Sequence, residues 1–510
     1  MISFVLSILI LSANPAQAAS LSCSAAHRVP NLTQEQIQKR IQGLIELGFQ
    51  IQVKKFKDEE SLKQAREYFD SEVSFLAARD PQFRKNFRAR WLQAQGKLKT
   101  KHRKNSDHEE NLKKEKQRSL NELEVVAPRL LFEIEHGSWV RSAEFSPDGR
   151  YVVTASNDDT AKIYELATQK EIAKIVHQDL IWRAHFSPDG RYVVTASKDG
   201  TAKIYDVQAR KEIDPIEHTS WIQTAEFSPD SRYIVTTSDG TAQIYDVQTG
   251  KKIAKIEHLS IVTQAQFSPD GRYVVTASKD RTAKIYDMKT RTEVGSIVHA
   301  DIVTGFHFSS DSQFIVTNSY DGTAKISQLQ SGKEIGKVEH YNYVNEAQFS
   351  PDGRYVVTAS EDWRAKIYEM STQTLIDTIA DGDRIKVARF SPDGRYVVTG
   401  SQKGLLQIYD MQSREVVDQI SHAASITDLH FSSNGRYVVT ACEDNTAKIY
   451  DLKLQELVGH TGKEKPEGGN SSQHGLLSVQ FSPDGRTLVT ASKNGTAQVI
   501  QVFGSLGGQL

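Results

Sequence analysis

The sequence predicts a mainly β chain in which one four-stranded unit is copied many times. Three observations predict it. A stretch of the form FSPDGRYVVTASKDGTAKIYD, as at residues 186–206, recurs to the end of the chain. Its phenylalanine stands at Phe145, Phe186, Phe227, Phe267, Phe308, Phe349, Phe390, Phe431 and Phe481, at intervals of 41, 41, 40, 41, 41, 41, 41 and 50 residues. Each unit also alternates turn signals with short β-branched runs and shows no helical period. A period near 40 with four short antiparallel strands describes a blade of a β-propeller.

The elements of one unit follow in order. Ser187-Pro188-Asp189-Gly190 is a turn: proline presets φ, aspartate bonds its own backbone, and glycine ends the turn without a Cβ clash. Arg191 to Ser197 is β-branched and aromatic and reads as a strand. Lys198-Asp199-Gly200 is a tight hairpin turn, Thr201 to Tyr205 the next strand, and Lys211 to His218 a fourth. The strand before each phenylalanine, Val140 to Phe145 in the first unit, completes the set.

These units resemble WD repeats, a family of β-propellers, over about residues 129–510. The family's Gly-His pair is represented by a lone histidine at His136, His177, His218, His258, His299, His340, His422 and His460. The Trp-Asp pair is represented by Tyr164-Glu165, Tyr205-Asp206, Tyr245-Asp246, Tyr286-Asp287, Tyr368-Glu369, Tyr409-Asp410 and Tyr450-Asp451. Tyrosine thus replaces the signature tryptophan, and Ser327-Gln328 and Ile500-Gln501 lose the pair. The resemblance implies that strands from opposite ends of the chain close the ring, with Leu130 to Glu135 as the outer strand of the final blade. No edge is then left unpaired. The count is nine blades. The alternative is eight with the final unit displaced, because a polar insertion at 461–474 precedes it.

The formal net charge of the 510 residues is −1, but it is uneven. Residues 19–128 hold 22 Lys+Arg against 15 Asp+Glu, and the chain from Arg129 on holds 41 against 49. Met1 to Ala18 reads as a signal peptide: Phe4 to Leu11 is the apolar core and Ala16-Gln17-Ala18 the cleavage site, although no Lys or Arg precedes the core. Export to a periplasm or out of the cell is therefore expected. Cys23 permits a lipoprotein reading, but Ser20-Leu21-Ser22 fits a lipobox less well than the Ala-x-Ala site. Two cysteines, Cys23 and Cys442, make no disulfide framework.

Residues 19–96 form a helical region. Thr33 to Gln36 is a capping box, and apolar stripes follow at Ile37, Ile41, Leu44, Ile45 and Phe49, at Leu62 to Leu76, and at Phe83, Phe87, Trp91 and Leu92. Residues 97–128 are a charged helix or linker. Lys97, Lys99, Lys101, Arg103 and Lys104 offer a contact to an anionic polymer, or simply a solvated surface. They have no interleaved aromatics, so no nucleic-acid partner is expected. After signal removal no membrane span remains, and a monomer is expected.

Each unit holds Ser, His and Asp, the residue types of a hydrolase triad. The sets are Ser156/His136/Asp158, Ser197/His177/Asp199, Ser238/His218/Asp239, Ser278/His258/Asp280, Ser319/His299/Asp321 and Ser360/His340/Asp362. An enzyme needs one site, whereas a fold needs the same buried hydrogen bonds in every blade. The resemblance implies a structural Ser–His–Asp–Trp network, here with Tyr for Trp. Blades with Asp381, Lys403, Cys442 or Asn494 at these positions should be weaker. There is no phosphate-binding loop, zinc spacing or EF-hand, and no cofactor is expected. The loop carboxylates Asp377, Asp381 and Asp383 make a weak metal candidate.

Bulky residues depart from the repeat where contacts would be made. They are Trp139, Arg141, Trp182, Trp221, Tyr343 and Trp363. In a WD propeller such positions lie on one face, around the channel mouth, and aromatic and arginine side chains are what binding hot spots are made of. Trp182 and Trp363 are expected to be exposed. The expected function is a non-catalytic, exported scaffold that binds a protein or peptide on this face. The alternatives are a binder of anionic polymer through 97–104 and a propeller-based enzyme.

Overall fold

A computed structural model describes residues 128–462 and 475–503. The expected signal peptide, Cys23, the helical region, the basic segment and the insertion from 463 on lie outside the described residues. Among the described residues there are 36 strands in nine four-stranded antiparallel sheets. Blade 1 consists of Val140–Phe145, Tyr151–Ser156, Thr160–Glu165 and Lys170–Val176, in that order across the sheet. Seven further blades repeat this order. The ninth combines Leu476–Phe481, Thr487–Ser492 and Thr496–Gln501 with the first strand of the chain, Arg129–Glu135. That strand pairs antiparallel with Thr496–Gln501, with Ile134 opposite Ala497 and Glu135 opposite Thr496. The eight-blade alternative is thereby corrected: the final unit keeps its register as a blade of its own.

The turns form for the reasons legible in the repeat. Ser146 donates to Asp148 at 2.6 Å and accepts the Tyr151 N–H at 2.9 Å, while Gly149 takes φ 71°. This locks the hairpin between the first and second strands. The second strand of each blade, for example Val152 to Ser156, is buried along its length. Its apolar residues pack against the next blade. Val153, Ile163 and Ile175 of blade 1 meet Ile181, Ala184 and Phe186 of blade 2, all at most 6% exposed. Nine such clusters exist among the described residues, one for each neighbouring pair. Ile134 and Val499 of blade 9 packing on Val140 and Phe145 of blade 1 is one of them. A side chain of Ile163 size contributes about 1.5–3 kcal/mol on full burial, so the blades are held by their interfaces as much as by their hydrogen bonds.

One irregularity recurs. In the first strand of most blades the register slips by one residue, between Val140 and Ser142 in blade 1 and between Ile181 and Arg183 in blade 2. The residue left unpaired is Arg141 in blade 1 and Trp182 in blade 2. A bulge of this kind re-aims the side chain it carries.

Candidate functional site

The repeated polar set forms a network, but a different one from the one expected. In blade 2 the Nδ1–H of His177 donates to Asp199 at 2.9 Å, and Nε2 meets the Thr195 hydroxyl at 2.8 Å. Asp199 also accepts the Gln178 and Thr201 backbone N–H groups, at 2.9 and 2.8 Å. The same triplets are His136–Asp158 with Thr154, His258–Asp280 with Thr276, His299–Asp321 with Thr317, and His340–Asp362 with Thr358. Serine is not the histidine's partner. Ser197 accepts the Asp199 N–H and donates to the Asp179 carbonyl, pinning the turn; Ser156, Ser278, Ser319 and Ser360 do the same. No nucleophile–base contact is formed in these blades. The threonine of YVVTAS was missed because it reads as a β-branched strand residue. In blade 2 tyrosine does not take the tryptophan's place in this network: Tyr205 is buried in the interface core.

The electrostatics agree with a structural role. Burial resists ionisation of Asp199, but the Gln178 and Thr201 donors and His177 hold its carboxyl at about 2; Asp158, Asp280 and Asp362 are held there by like partners. Burial lowers His136, His177, His258, His299 and His340, so each is neutral, with Nδ1 as its donor.

Four blades depart. Asp239 does not join His218, which is a correction. The turn Ser238-Asp239-Gly240 is one residue shorter than Ser197 to Gly200, so Asp239 stands one place early. Gln243 donates to His218 instead, at 3.0 Å, and burial without a carboxylate lowers this histidine to about 4. In blade 7, with Asp381 in the histidine position, the Thr399 hydroxyl is buried without a partner. In blade 8 the Cys442 thiol contacts the Ala424 carbonyl at 3.2 Å, and the His422–Asp444 separation widens to 3.7 Å. His422, Cys442 and Asp444 offer ligand atoms within 4.8 Å of one another, the one such trio among the described residues. It is the blade 8 form of the network, and burial pushes the thiol up to about 12, against the thiolate a metal needs. In blade 9 the Thr490 hydroxyl is buried without a partner, and His460 lies on the exposed edge of blade 8. The loop carboxylates do not converge: Tyr409 donates to Asp377, and Asp383 accepts the Arg384 N–H.

The departing bulky residues lie at one end of the blades. Each first strand begins at the end where each second strand finishes, so the residues before the first strand and in the second hairpin turn share a face. Trp139, Arg141, Trp182 and Trp221 form a continuous shelf there. The Arg141 guanidinium lies 5.6 Å from the Trp139 ring and 4.9 Å from the Trp182 ring, and Trp182 meets Trp221 edge-on at 6.4 Å. Trp182 is half-buried in this shelf and does not stand exposed as expected. Trp363 is 54% exposed and holds φ 71°, where other blades place a glycine such as Gly200, Gly240 or Gly322, or else Asp159, Arg281 or Asn445. Tyr343 is 45% exposed and stacks on Tyr320 at 4.4 Å. Two exposed residues were missed, Leu259 at 98% and Tyr341 at 91%. Both directly follow the network histidine, a position where size alone was the available signal.

Inside the ring, the first strands of blades 2 to 8 line a cavity of about 800 Å³ with polar groups, among them Arg183, Gln264, Glu346 and Arg389. The residue before each repeat phenylalanine varies around it. His185 sits between Glu144 at 2.7 Å and Glu226 at 3.3 Å; burial opposes its charge, but the two carboxylates push it up to about 9.

The family description "WD domain, G-beta repeat" matches residues 129–165, 169–206, 212–246, 250–287, 291–326, 414–451 and 468–501. "Cytochrome D1 heme domain" matches residues 314–429. That stretch contains the histidines His340 and His422, and both have Nε2 committed to a threonine hydroxyl, so neither offers haem iron a free imidazole. No curated protein matches the chain. Among solved structures, the crystal structure of the computationally designed Ika8 protein is 26% identical, with a TM-score of 0.52, over 64% of this chain and 100% of that one.

Proposed function

This chain belongs to the WD-repeat family of β-propellers, and we propose that it is a non-catalytic scaffold that binds a partner polypeptide on the face carrying Trp139, Arg141, Trp182, Trp221, Tyr343 and Trp363. WD propellers are in general protein–protein interaction scaffolds. The observation that carries the reading is Trp363. A bulky residue at positive φ is strained, and the other blades place glycine or the polar residues Asp159, Arg281 and Asn445 there, so the turn does not call for an exposed tryptophan. The shelf of Trp139, Arg141, Trp182 and Trp221 adds a second group of hot-spot residues on the same face.

The strand Arg129–Glu135, paired to Thr496–Gln501, closes the ring in this proposal. The apolar core and Ala-x-Ala pattern of Met1 to Ala18 support export. No helix among the described residues is long and apolar enough to cross a membrane.

The test is affinity capture from the native host followed by mass spectrometry. The bait is the mature chain, run beside a Trp139→Ala/Trp182→Ala/Trp221→Ala/Trp363→Ala version with its melting curve checked. A polypeptide held by the first and lost by the second supports the reading. Equal capture by both would move the contact off this face.

A further inference from the structure

Arg141 is a cation that the propeller half-buries and leaves without a carboxylate. Its Nε donates to Asn157 Oδ1 at 2.7 Å, a neutral acceptor, and its flat faces are covered by Trp139 and Trp182. Burial lowers its pKa, and no carboxylate acts to restore it. Several other cations among the described residues do meet a carboxylate. Lys386 and Arg384 meet Glu361 at 2.6 and 3.1 Å. Arg389 meets Glu346 at 3.0 Å and Asp428 at 3.2 Å, and Arg191, Arg272 and Arg436 each meet an aspartate. Lys493, which also lies over Trp139, is already paired with Glu443 at 2.9 Å.

A second donor beside it is also unanswered. The Trp182 indole Nε1 is buried with no acceptor. A buried donor without a partner costs free energy, as does a desolvated cation without an anion. Both costs fall on neighbouring bulge positions. In blades 4, 5 and 8 the same position holds Thr263, Thr304 and Thr427, whose hydroxyls bond carbonyls of the next blade. Blades 1 and 2 give up that inter-blade bond for a guanidinium without a carboxylate and an indole N–H without an acceptor.

We propose that the shelf of Arg141 between Trp139 and Trp182 binds a carboxylate flanked by apolar groups, carried by an acidic segment of a partner polypeptide. This rests on the reading of the face as a partner-binding surface. A carboxylate is the anion that fits. One uncommitted cation matches one negative charge, and the guanidinium fork takes a carboxylate through parallel hydrogen bonds. A phosphate dianion asks for a second cation, and Lys493, which shares Trp139 with Arg141, is occupied by Glu443. The indole faces supply the apolar contact on either side.

The test selects a random heptapeptide library displayed on phage against the full chain. A selected peptide, labelled with fluorescein, is then titrated by anisotropy. The proposal expects selected peptides to carry Asp or Glu beside an apolar residue. It expects replacement of the acid by its amide to weaken binding about tenfold or more. Arg141→Gln should weaken binding to a similar degree, Arg141→Lys less, and Arg384→Gln should leave it unchanged, with melting curves confirming that all are folded. Selected peptides without acids, no selected binder, or binding that requires a phosphorylated residue would overturn the proposal. If Trp182→Ala removes binding while Arg141→Gln does not, the carboxylate inference fails and the binding face stands. If neither variant changes binding, both fail.

Discussion

Blades 6 and 7 and blades 1 and 2 present cations on the same face and treat them in opposite ways. Glu361 gathers Lys386, Arg384 and Asn345 into a closed cluster. The residue at the equivalent turn position of blade 1 is Asn157, and Arg141 beside it is covered by tryptophan and has no carboxylate neighbour. The backbone is the same in both places. On the proposed function, the difference separates a place where the repeat serves itself from one where it serves a partner. A closed ion cluster is complete without a ligand, whereas an unanswered cation between aromatic faces is complete only with one.

Four perturbations break or sharpen the contrast between the repeated frame and its departures. The largest acts on the frame. Deleting Arg129 to Glu135 uncovers the edge of Thr496–Gln501 and removes Ile134 from its core; we expect aggregation or a loss of more than about 5 kcal/mol, read by thermal melting. Unchanged melting would mean that the ring closes by another route.

Next, Asp199→Ala and Asp239→Ala remove the same residue type from two versions of the network. Asp199 answers His177, Gln178 and Thr201, and its loss should cost about 3 kcal/mol in denaturant unfolding. Asp239 answers no network histidine, and its loss should cost less than about 0.5 kcal/mol.

The pH dependence separates them again. Carboxyls held near 2 against an unfolded value of about 3.9 contribute stability above that value and lose it as pH falls through 2. His218, held near 4 against about 6.5 unfolded, binds its proton later in the fold than in the unfolded chain. Its contribution is present above 6.5 and is lost as pH falls toward 4. His218→Gln should therefore flatten the stability profile between 6.5 and 4, measured by urea unfolding, and leave the more acid limb in place. His185 has the opposite sign: raised to about 9, it contributes below 6.5 and loses that contribution as pH rises through 9.

The smallest effect on stability is at Trp363. Trp363→Gly restores the residue that suits φ 71°, so melting should be unchanged or improved by about 1 kcal/mol, while partner capture declines.

The blades were legible in the sequence because turn chemistry and period-two strands repeat nine times. Phe145 and its copies set the register, and the SPDG turns formed as their residues dictate. The network was half legible. The histidines and aspartates could be placed by repetition, but the threonine partner is disguised as a strand residue, and serine bonds the turn instead of the imidazole. Asp239 misled because one missing residue shifts a side chain without changing composition. The bulges at Arg141 and Trp182 are a matter of strand register, which residue type does not reveal. The pairing of Lys386 with Glu361 crosses between blades and was likewise invisible until the interface was in view.

The most direct test of the whole account measures melting and partner capture on the same preparations of two variants, Asp199→Ala and the Trp139→Ala/Trp182→Ala/Trp221→Ala/Trp363→Ala chain. The account predicts that the first melts lower and, at a temperature where it is folded, still captures the partner. The second should melt near the parent and capture nothing. A tryptophan variant that captures normally, or an Asp199→Ala chain that melts like the parent and loses the partner, would contradict it.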